Sequence, residues 1–423
     1  MKRKIVLLIF VSILSLVACS IGKNIQQVLA DNTCEAIGKK EQQRPERIEI
    51  NISAVGDIMV HGPQLRAQYD KKSNAYNFKN NFEFIKPYIS QSDIALCNLE
   101  TTFAGENKGY SSFPKFNSPD ALGEAIKDAG FDIIATANNH TIDKNAQGVY
   151  RTIDVLKKLS LDVVGTKENE IIPSYIIKEI KGVKVGITAY TYETPKFGKH
   201  KTLNSLIIPK EVENCINTFN YNEIDQELKK IEEITQNMKK DGVEIIIFYL
   251  HWGNEYQREP NDYQKKMAQA LTDFGVDIIF GSHPHVIQPI AFMESREHQK
   301  KSIVVYSMGN FLSNQRYEIL KNRYTEDGMI VNVTMEKNLK DDKITMKGVS
   351  YLPTWINKYY KNNKKIYEIV PLAEGLAFPE KYHLDKNSLW RAQNSKENTC
   401  NLIELGTAEI KRIPILKNDA MVK

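Results

Sequence analysis

Short apolar runs alternate with stretches of helical period along most of this chain. Four of those runs end abruptly in clusters built on histidine or asparagine. They are Phe131–Ala135 into Asn138-Asn139-His140, Val243–Leu250 into His251-Trp252-Gly253, Val276–Phe280 into Gly281-Ser282-His283-Pro284-His285, and Ile303–Tyr306 into Ser307-Met308-Gly309-Asn310-Phe311. Runs of this length, rich in Val, Ile and Phe, read as strands buried on both faces of a sheet, with the helical stretches as crossovers. In such sheets ligand sites lie beyond the carboxyl ends of the strands. Five of the eight histidines, His61, His140, His251, His283 and His285, follow an apolar run. Polar ligands gathered along one sheet edge are the pattern of a metal site.

The same alternation places the remaining elements. Ile48, Ile50 and Ile52 alternate with polar residues before Ala54-Val55-Gly56-Asp57, which predicts a strand ending in a carboxylate; Asp93–Leu99 predicts another, ending at Glu100. Ser118 and Pro119 are an N-cap and a first helical residue for a helix whose apolar stripe runs through Ala121, Leu122, Ala125, Ile126 and Ala129 and stops at Gly130. Val149, Ile153, Leu156 and Leu159 mark a second helix, and Asp162–Val164 a short strand. Ile176–Ile180 and Val183–Ala189 flank Lys181-Gly182 as a hairpin. Asn222–Lys240 and Asp262–Phe274 read as helices, the latter with Asp262 as cap. After Phe311 three strand-like runs, Met329–Met335, Ile344–Val349 and Ile366–Val370, follow one another without helices, so an antiparallel or mixed region closes the sheet. From Phe378 onward periodicity is weak and the chain is expected to wrap the surface.

The N-terminus changes the setting. Lys2-Arg3-Lys4 is a cationic head, and Ile5–Ala18 is an uncharged run of fourteen residues. That is short of the roughly 20 residues a membrane span needs and suits an export signal. It ends in Leu16-Val17-Ala18-Cys19, which resembles the lipobox of bacterial lipoproteins and marks Cys19 for lipidation; a plain signal peptide containing a cysteine is the alternative. The expected organisation is a signal peptide over 1–19, a flexible tether over 20–47, a globular domain over 48–377 and a C-terminal surface extension over 378–423. The expected location is the extracytoplasmic face of the cell membrane, held there by lipid. Four scattered cysteines besides Cys19 are no disulfide framework. Cys97, inside an apolar run, is a core residue, and a Cys34–Cys400 bridge has no sequence support. A net charge of +5, part of it in the signal peptide, gives no reason to expect a nucleic-acid partner.

Taken in order, the strand-end groups Asp57, Glu100, Asn139, His140, His251, His283 and His285 offer two carboxylates, an amide oxygen and imidazoles. Mixed oxygen and nitrogen donors without thiolate suit one or two divalent transition ions, Mn, Fe or Zn, better than Ca. Two such ions can share a hydroxide and clamp the oxygens of an in-line displacement.

The motifs Gly56-Asp57-Ile58-Met59, Asn98-Leu99-Glu100, Asn138-Asn139-His140-Thr141-Ile142-Asp143, His251-Trp252-Gly253, Ser282-His283-Pro284-His285 and Ser307-Met308-Gly309-Asn310-Phe311 together resemble the CapA family of capsule-synthesis proteins, from about Ile50 to Gln315. That family is involved in making or exporting poly-γ-glutamate, a polyanionic capsule polymer, and its domain is related to the calcineurin-like metallophosphoesterases. The resemblance implies a four-layer αββα sandwich, an anionic polymer as partner and membrane-bound synthase or export subunits beside it. It also implies Asp57, Glu100, Asn139, His251, His283 and His285 as metal ligands, with Glu100 in the bridging place, and His140 as general acid. The alternative it leaves open is an exported metal-dependent hydrolase of phosphoesters or amides. One departure stands out: those phosphoesterases usually carry Asp-x-His in the first motif, and Met59 occupies the histidine position here. His61 lies two residues further on, in a direction the sequence does not fix. Asp143 either caps the helix after His140 or orients its imidazole, Ser307 and Asn310 read as loop-fixing groups, and Lys358–Lys365 is a basic, tyrosine-rich stretch that reads first as a solvated loop, with contact to a polyanion as the alternative.

Overall fold

The structure, a computed structural model, describes residues 46–406 and 409–416. Cys19, Cys34 and the expected signal peptide lie outside the described residues. Apart from Arg47 and Asn338 at two strand ends, the elements described here belong to one compact unit, which takes in residues 48–337 and the described residues from 342 onward. In chain order its first part is β1 (Arg47–Ile58), α1 (Gly62–Gln68), β2 (Ile94–Leu99), α2 (Ala121–Asp128), β3 (Ile133–Ala135), α3 (Asn145–Lys158) and β4 (Asp162–Val164). The second part is β5 (Ile176–Ile180), β6 (Val183–Tyr192), α4 (Ile224–Lys240), β7 (Ile245–His251), α5 (Asp262–Asp273), β8 (Ile278–Ser282), β9 (Ile290–Glu294) and β10 (Lys301–Val305). The chain then returns through β11 (Asn310–Leu312), β12 (Asp327–Asn338), β13 (Ile344–Lys361) and β14 (Lys364–Pro371) to α6 (Lys386–Gly406).

Two sheets result. The first has the order β14-β13-β12-β1-β2-β3-β4, with β11 also on β1; the second has the core order β6-β7-β8-β10-β9, with β5 also on β6. β1, β2, β3 and β4 run parallel, as do β6, β7, β8 and β10. β12, β13 and β14 are antiparallel, as their lack of intervening helices predicts.

Alternation within the strands builds four layers. Ile50, Ile52, Leu96 and Ile133 of the first sheet meet Ile187, Ile247, Phe280 and Val305 of the second in one buried cluster. Their neighbours of opposite parity, Val55, Cys97 and Ile134, pack under α2 and α3, while Ile246, Phe248 and Ile279 pack under α4 and α5. The molecule is therefore the αββα sandwich expected. Each fully buried aliphatic or aromatic side chain in it is worth about 1.5–3 kcal/mol. Both faces of the central strands are covered, which is why those strands read as unbroken apolar runs.

Helix starts are where the structure corrects the sequence. α5 is capped by Asn261, whose side chain accepts from Gln264 N while Gln264 reaches back in a capping box; Asp262 is its first helical residue. α2 begins at Ala121 with Asp120 before it, and the Ser118 hydroxyl instead meets Thr101 Oγ1 at 3.0 Å. Beyond Phe378 the chain is far more regular than its weak periodicity suggests: α6 is a 21-residue helix, and Cys400 and Ile403 enter the cluster between the sheets. Cys97, Cys215 and Cys400 are buried free thiols.

Two glycines let strand ends meet. A Cβ on Gly56 would lie 1.9 Å from the Gly309 carbonyl oxygen, and one on Gly281 would lie 2.1 Å from that of Tyr306. The bare backbone at Gly56 brings β1 and β11 together, with Asp57 N donating to Gly309 O at 3.0 Å.

Candidate metal centre

Every polar cluster that ends an apolar run arrives at the same edge. β1 delivers Asp57 and β2 is followed by Glu100. Asn138-Asn139-His140 follow β3, β7 ends in His251, and His283 and His285 follow β8. All six predicted ligands and His140 are buried. Single donor atoms of Glu100, His283 and His285 lie within 4.8 Å of one another, and so do those of Asp57, Glu100 and His251. Glu100 is the member common to both groups.

The local contacts fix each group. Asp57 Oδ1 accepts from Asn98 Nδ2 at 2.8 Å, and its Oδ2 faces His285 Nδ1 at 3.1 Å and the His283 amide at 3.3 Å. His251 Nδ1 meets Ser282 Oγ at 3.1 Å, and its Nε2 faces Asn139 Oδ1 at 3.1 Å. Asn138 Nδ2 donates to Leu99 O and to Asn98 Oδ1, tying the loop after β3 to β2. His283 and His285 flank Pro284 with φ of 98° and 56°, a left-handed backbone that non-glycine residues adopt at a cost. That bend turns both imidazoles toward the carboxylates.

Glu100 decides what this edge suits. Both its carboxylate oxygens are buried without a hydrogen-bond partner, and so is His283 Nδ1. The nearest cationic candidates are His285 Nε2 at 3.7 Å and His251 Nε2 at 3.8 Å from Oε1, beyond hydrogen-bonding distance. Burial, and then Asp57, pushes the Glu100 carboxyl well above the usual carboxylate range. Burial pushes His251 and His283 well below the usual imidazole range, so both are neutral with a lone pair to offer. A buried carboxylate with no donor is costly. A divalent cation among these oxygen and nitrogen atoms removes that cost, so the donor set fits a metal.

His140 stands apart from both donor groups. Its Nδ1 lies 2.8 Å from Asp143 Oδ2, which also accepts from Phe116 N at 2.6 Å. With Nδ1–H donating to the carboxylate, Nε2 is the atom left to take or give a proton. Asp143 thus orients the imidazole, and the helix after it is capped by neither: α3 starts behind Lys144. Met59, at the position where the motif led to the expectation of a histidine, is buried at 1 % exposure. His61 does not replace it. Its Nδ1 accepts from Asn314 N at 3.2 Å, its ring meets Phe116 edge-on at 5.4 Å, and it belongs to neither donor group. Burial, with His285 and His140 nearby, lowers its pKa to about 4, leaving it neutral. Ser307 Oγ donates to Val286 O and Asn310 Nδ2 to His285 O, so both brace the loop that carries the histidines.

The sequence reading named Asn98, Asn138 and Ser282 only within motifs, without a role. The signal was present: Asn98 is a polar residue inside the run Ile94–Leu99, and a buried amide there must have partners. Tyr192, whose ring lies 4.8 Å from that of His283, carried no comparable signal.

Residues 51–315 match the family model described as bacterial capsule synthesis protein PGA_cap, a span that holds every ligand candidate. The chain belongs to this family. It is 28 % identical over 364 residues to the capsule biosynthesis protein CapA of Bacillus anthracis, covering 84 % of this chain and 75 % of that one. It is 27 % identical over 294 residues to the PGA biosynthesis protein CapA of Bacillus subtilis (strain 168), covering 68 % of each. A solved phosphatase structure from Mycoplasma pneumoniae superposes with a TM-score of 0.40 at 16 % identity, covering 77 % of this chain and 95 % of that one.

Proposed function

We propose that this chain takes part in making or exporting an anionic capsule polymer of the poly-γ-glutamate type, and that its metal centre holds carboxylates of that polymer. The two CapA relatives, named for capsule and PGA biosynthesis, support the process. The observation that carries the metal centre is Glu100, a buried carboxylate with no hydrogen-bond donor set among neutral imidazoles. Asp57, Glu100, Asn139, His251, His283 and His285 would hold the ion or ions, Glu100 being the residue common to both donor groups. The expected ions are Mn, Fe or Zn. When bound, the metal supplies positive charge for an anionic ligand and acidifies a coordinated water. The chain's own residues hold the surroundings: Asn98 and Ser282 set the orientation of Asp57 and His251, and Asp143 fixes the tautomer of His140.

A second reading, a metal-dependent hydrolase, is favoured by the His140–Asp143 pair, which a site that only grips has no need of. Met59, in place of a ligand, weighs on the other side.

His283→Ala combined with His285→Ala is expected to strip the protein of Mn, Fe or Zn by elemental analysis and to abolish surface polymer in the producing cell. Wild-type protein that holds no metal and cannot be reloaded, or full polymer yield from the double variant, would overturn the reading.

The place of action that goes with this proposal is the outer face of the membrane, beside membrane-bound synthase or export subunits, with a lipid on Cys19 as the anchor. Cys19→Ser should move the protein out of the membrane fraction or leave it unprocessed. Identical fractionation of wild type and variant would remove the anchor.

A further inference from the structure

β13 pairs with β12 only as far as Trp355, opposite Asp327, but with β14 for six residues more, Ile356–Lys361 against Lys364–Ile369. The base of this two-stranded arm is packed, with Ile356, Asn357, Tyr367, Glu368 and Ile369 buried, and its tip, residues 360–364, is exposed. Its direction follows from the topology. Thr334 Oγ1 bonds Asn51 and Asn332 Oδ1 bonds Ser53, so β12 runs against β1, and β13, antiparallel to β12, runs with it. The arm therefore leaves the sheet at the edge where β1 presents Asp57.

Its base is joined to the site's rim. The Tyr367 hydroxyl donates to Asn314 Oδ1 at 3.1 Å, and Asn314 N donates to His61 Nδ1. The His61 ring rests on Phe116, which lies edge-on to His140 at 4.7 Å.

The arm is a cationic surface. Lys358, Lys361, Lys364 and Lys365 lie on it, and among the described residues none of the four forms an ion pair. Lys361 stands directly opposite Lys364 in register, a like-charge pair that destabilises the arm by itself. Lys365 Nζ lies 5.4 Å from the centre of the Tyr360 ring, and Tyr360 is 70 % exposed. Burial, then Arg316 with Lys365 and Arg391 close by, depresses the Lys358 ammonium. Of the nearby carboxylates, Glu368 accepts from the Tyr359 hydroxyl at 3.0 Å, and Glu318 and Glu326 are bonded to Arg391. Asp70 faces Lys364, and Glu368 faces Lys361, without forming an ion pair with it. Positive charge in excess on a strand pair beside a ligand site fits an anionic chain too long for the site alone.

We propose that this arm is a grip for a carboxylate-bearing polymer, holding the strand by its charges while one stretch of it lies at the metal centre. This rests on the polymer reading above and adds where the polymer is bound. Lysines on an edge strand also deter sheet-to-sheet pairing, a role that glutamate fills as well. Charge reversal therefore separates the two.

The test is fluorescence anisotropy of labelled poly-γ-glutamate titrated with metal-loaded full-length protein in detergent, at low and high salt. Wild type should bind, more weakly as salt rises. A Lys361→Glu, Lys364→Glu, Lys365→Glu triple variant should bind at least about tenfold more weakly with metal content unchanged, and the corresponding Lys→Arg triple should bind as wild type does. Equal binding by the glutamate triple overturns the grip. If that triple binds normally while His283→Ala with His285→Ala does not, the polymer reading stands and only the grip falls. Wild type that binds no polymer overturns the polymer reading itself. Arm-dependent capture by phosphatidylglycerol vesicles, without polymer binding, replaces the polymer with a membrane surface as the occupant.

Discussion

Glutamine in place of Glu100 is expected to stabilise the metal-free protein at neutral pH and to make it indifferent to added metal. Burial, with Asp57, Glu255 and Asp143 nearby, holds the Glu100 carboxyl above its ordinary value of 4.5. The folded chain therefore keeps a proton that the unfolded chain has already lost. Wild-type stability is undiminished below about 4.5 and falls as pH rises beyond it. Glutamine has no charge to desolvate, so the two proteins should melt together near pH 4 and diverge toward pH 8. The variant should lead there, because only the wild type must hold a charge in the buried site or keep a proton against the rising pH. Metal inverts the order. At a hundredfold excess over its dissociation constant an ion adds about 2.7 kcal/mol to the wild type, and nothing to a variant that has lost the shared carboxylate. Thermal melts of chelated and reloaded protein across this pH range read both effects. A variant less stable than chelated wild type at pH 8, or one that still takes up metal, would show that Glu100 is not a ligand.

Alanine at His140 should leave metal content unchanged, because that imidazole belongs to neither donor group. If the centre only holds polymer, capsule yield in cells carrying this variant stays near wild type, while His251→Ala, which empties the site, abolishes it. If the centre hydrolyses, the same His140 variant loses turnover by ~10²–10⁴-fold, the usual worth of a positioned acid or base. The ring also fills the space against Phe116 and carries the bond to Asp143 Oδ2, while Asp143 Oδ1 has no partner. His140→Gln therefore belongs beside the alanine variant to separate chemistry from folding. We expect the retained yield, because Met59 offers no imidazole beside Asp57 and His61 belongs to neither donor group. Yield lost with metal retained reverses the assignment.

The positions of these groups were legible because parallel strands are buried on both faces. Ile245–Leu250 and Ile278–Phe280 are continuous apolar segments, and the first polar residue after each marks the sheet edge. Antiparallel pairing after Asn310 followed from the absence of helical segments. What stayed hidden depends on contacts between distant segments. Either of two adjacent residues can cap α5, and Asn261 does so because its backbone is extended at ψ of 172°. α6 escaped notice because helical period shows only when one stripe is apolar. This helix buries Ser388, Ser395 and Thr399 along with Ala392, Cys400 and Ile403. Asp143 could not be assigned between cap and orienting group until the Phe116 amide, from a separate loop, was seen to share it. Lys358–Lys365 read as a solvated loop, and only the register with β14 shows it to be an arm.

The donors divide evenly between the two sheets. Asp57, Glu100 and Asn139 belong to one, His251, His283 and His285 to the other. Neither sheet alone carries a set able to chelate an ion, so the centre exists only while the apolar layer between them is correctly aligned. A slip of one sheet by a single residue would move its three donors by about 3.3 Å, more than a coordination bond tolerates. Metal uptake is in that sense an assay of the sandwich: a chain whose two sheets are misaligned by one residue would hold no ion.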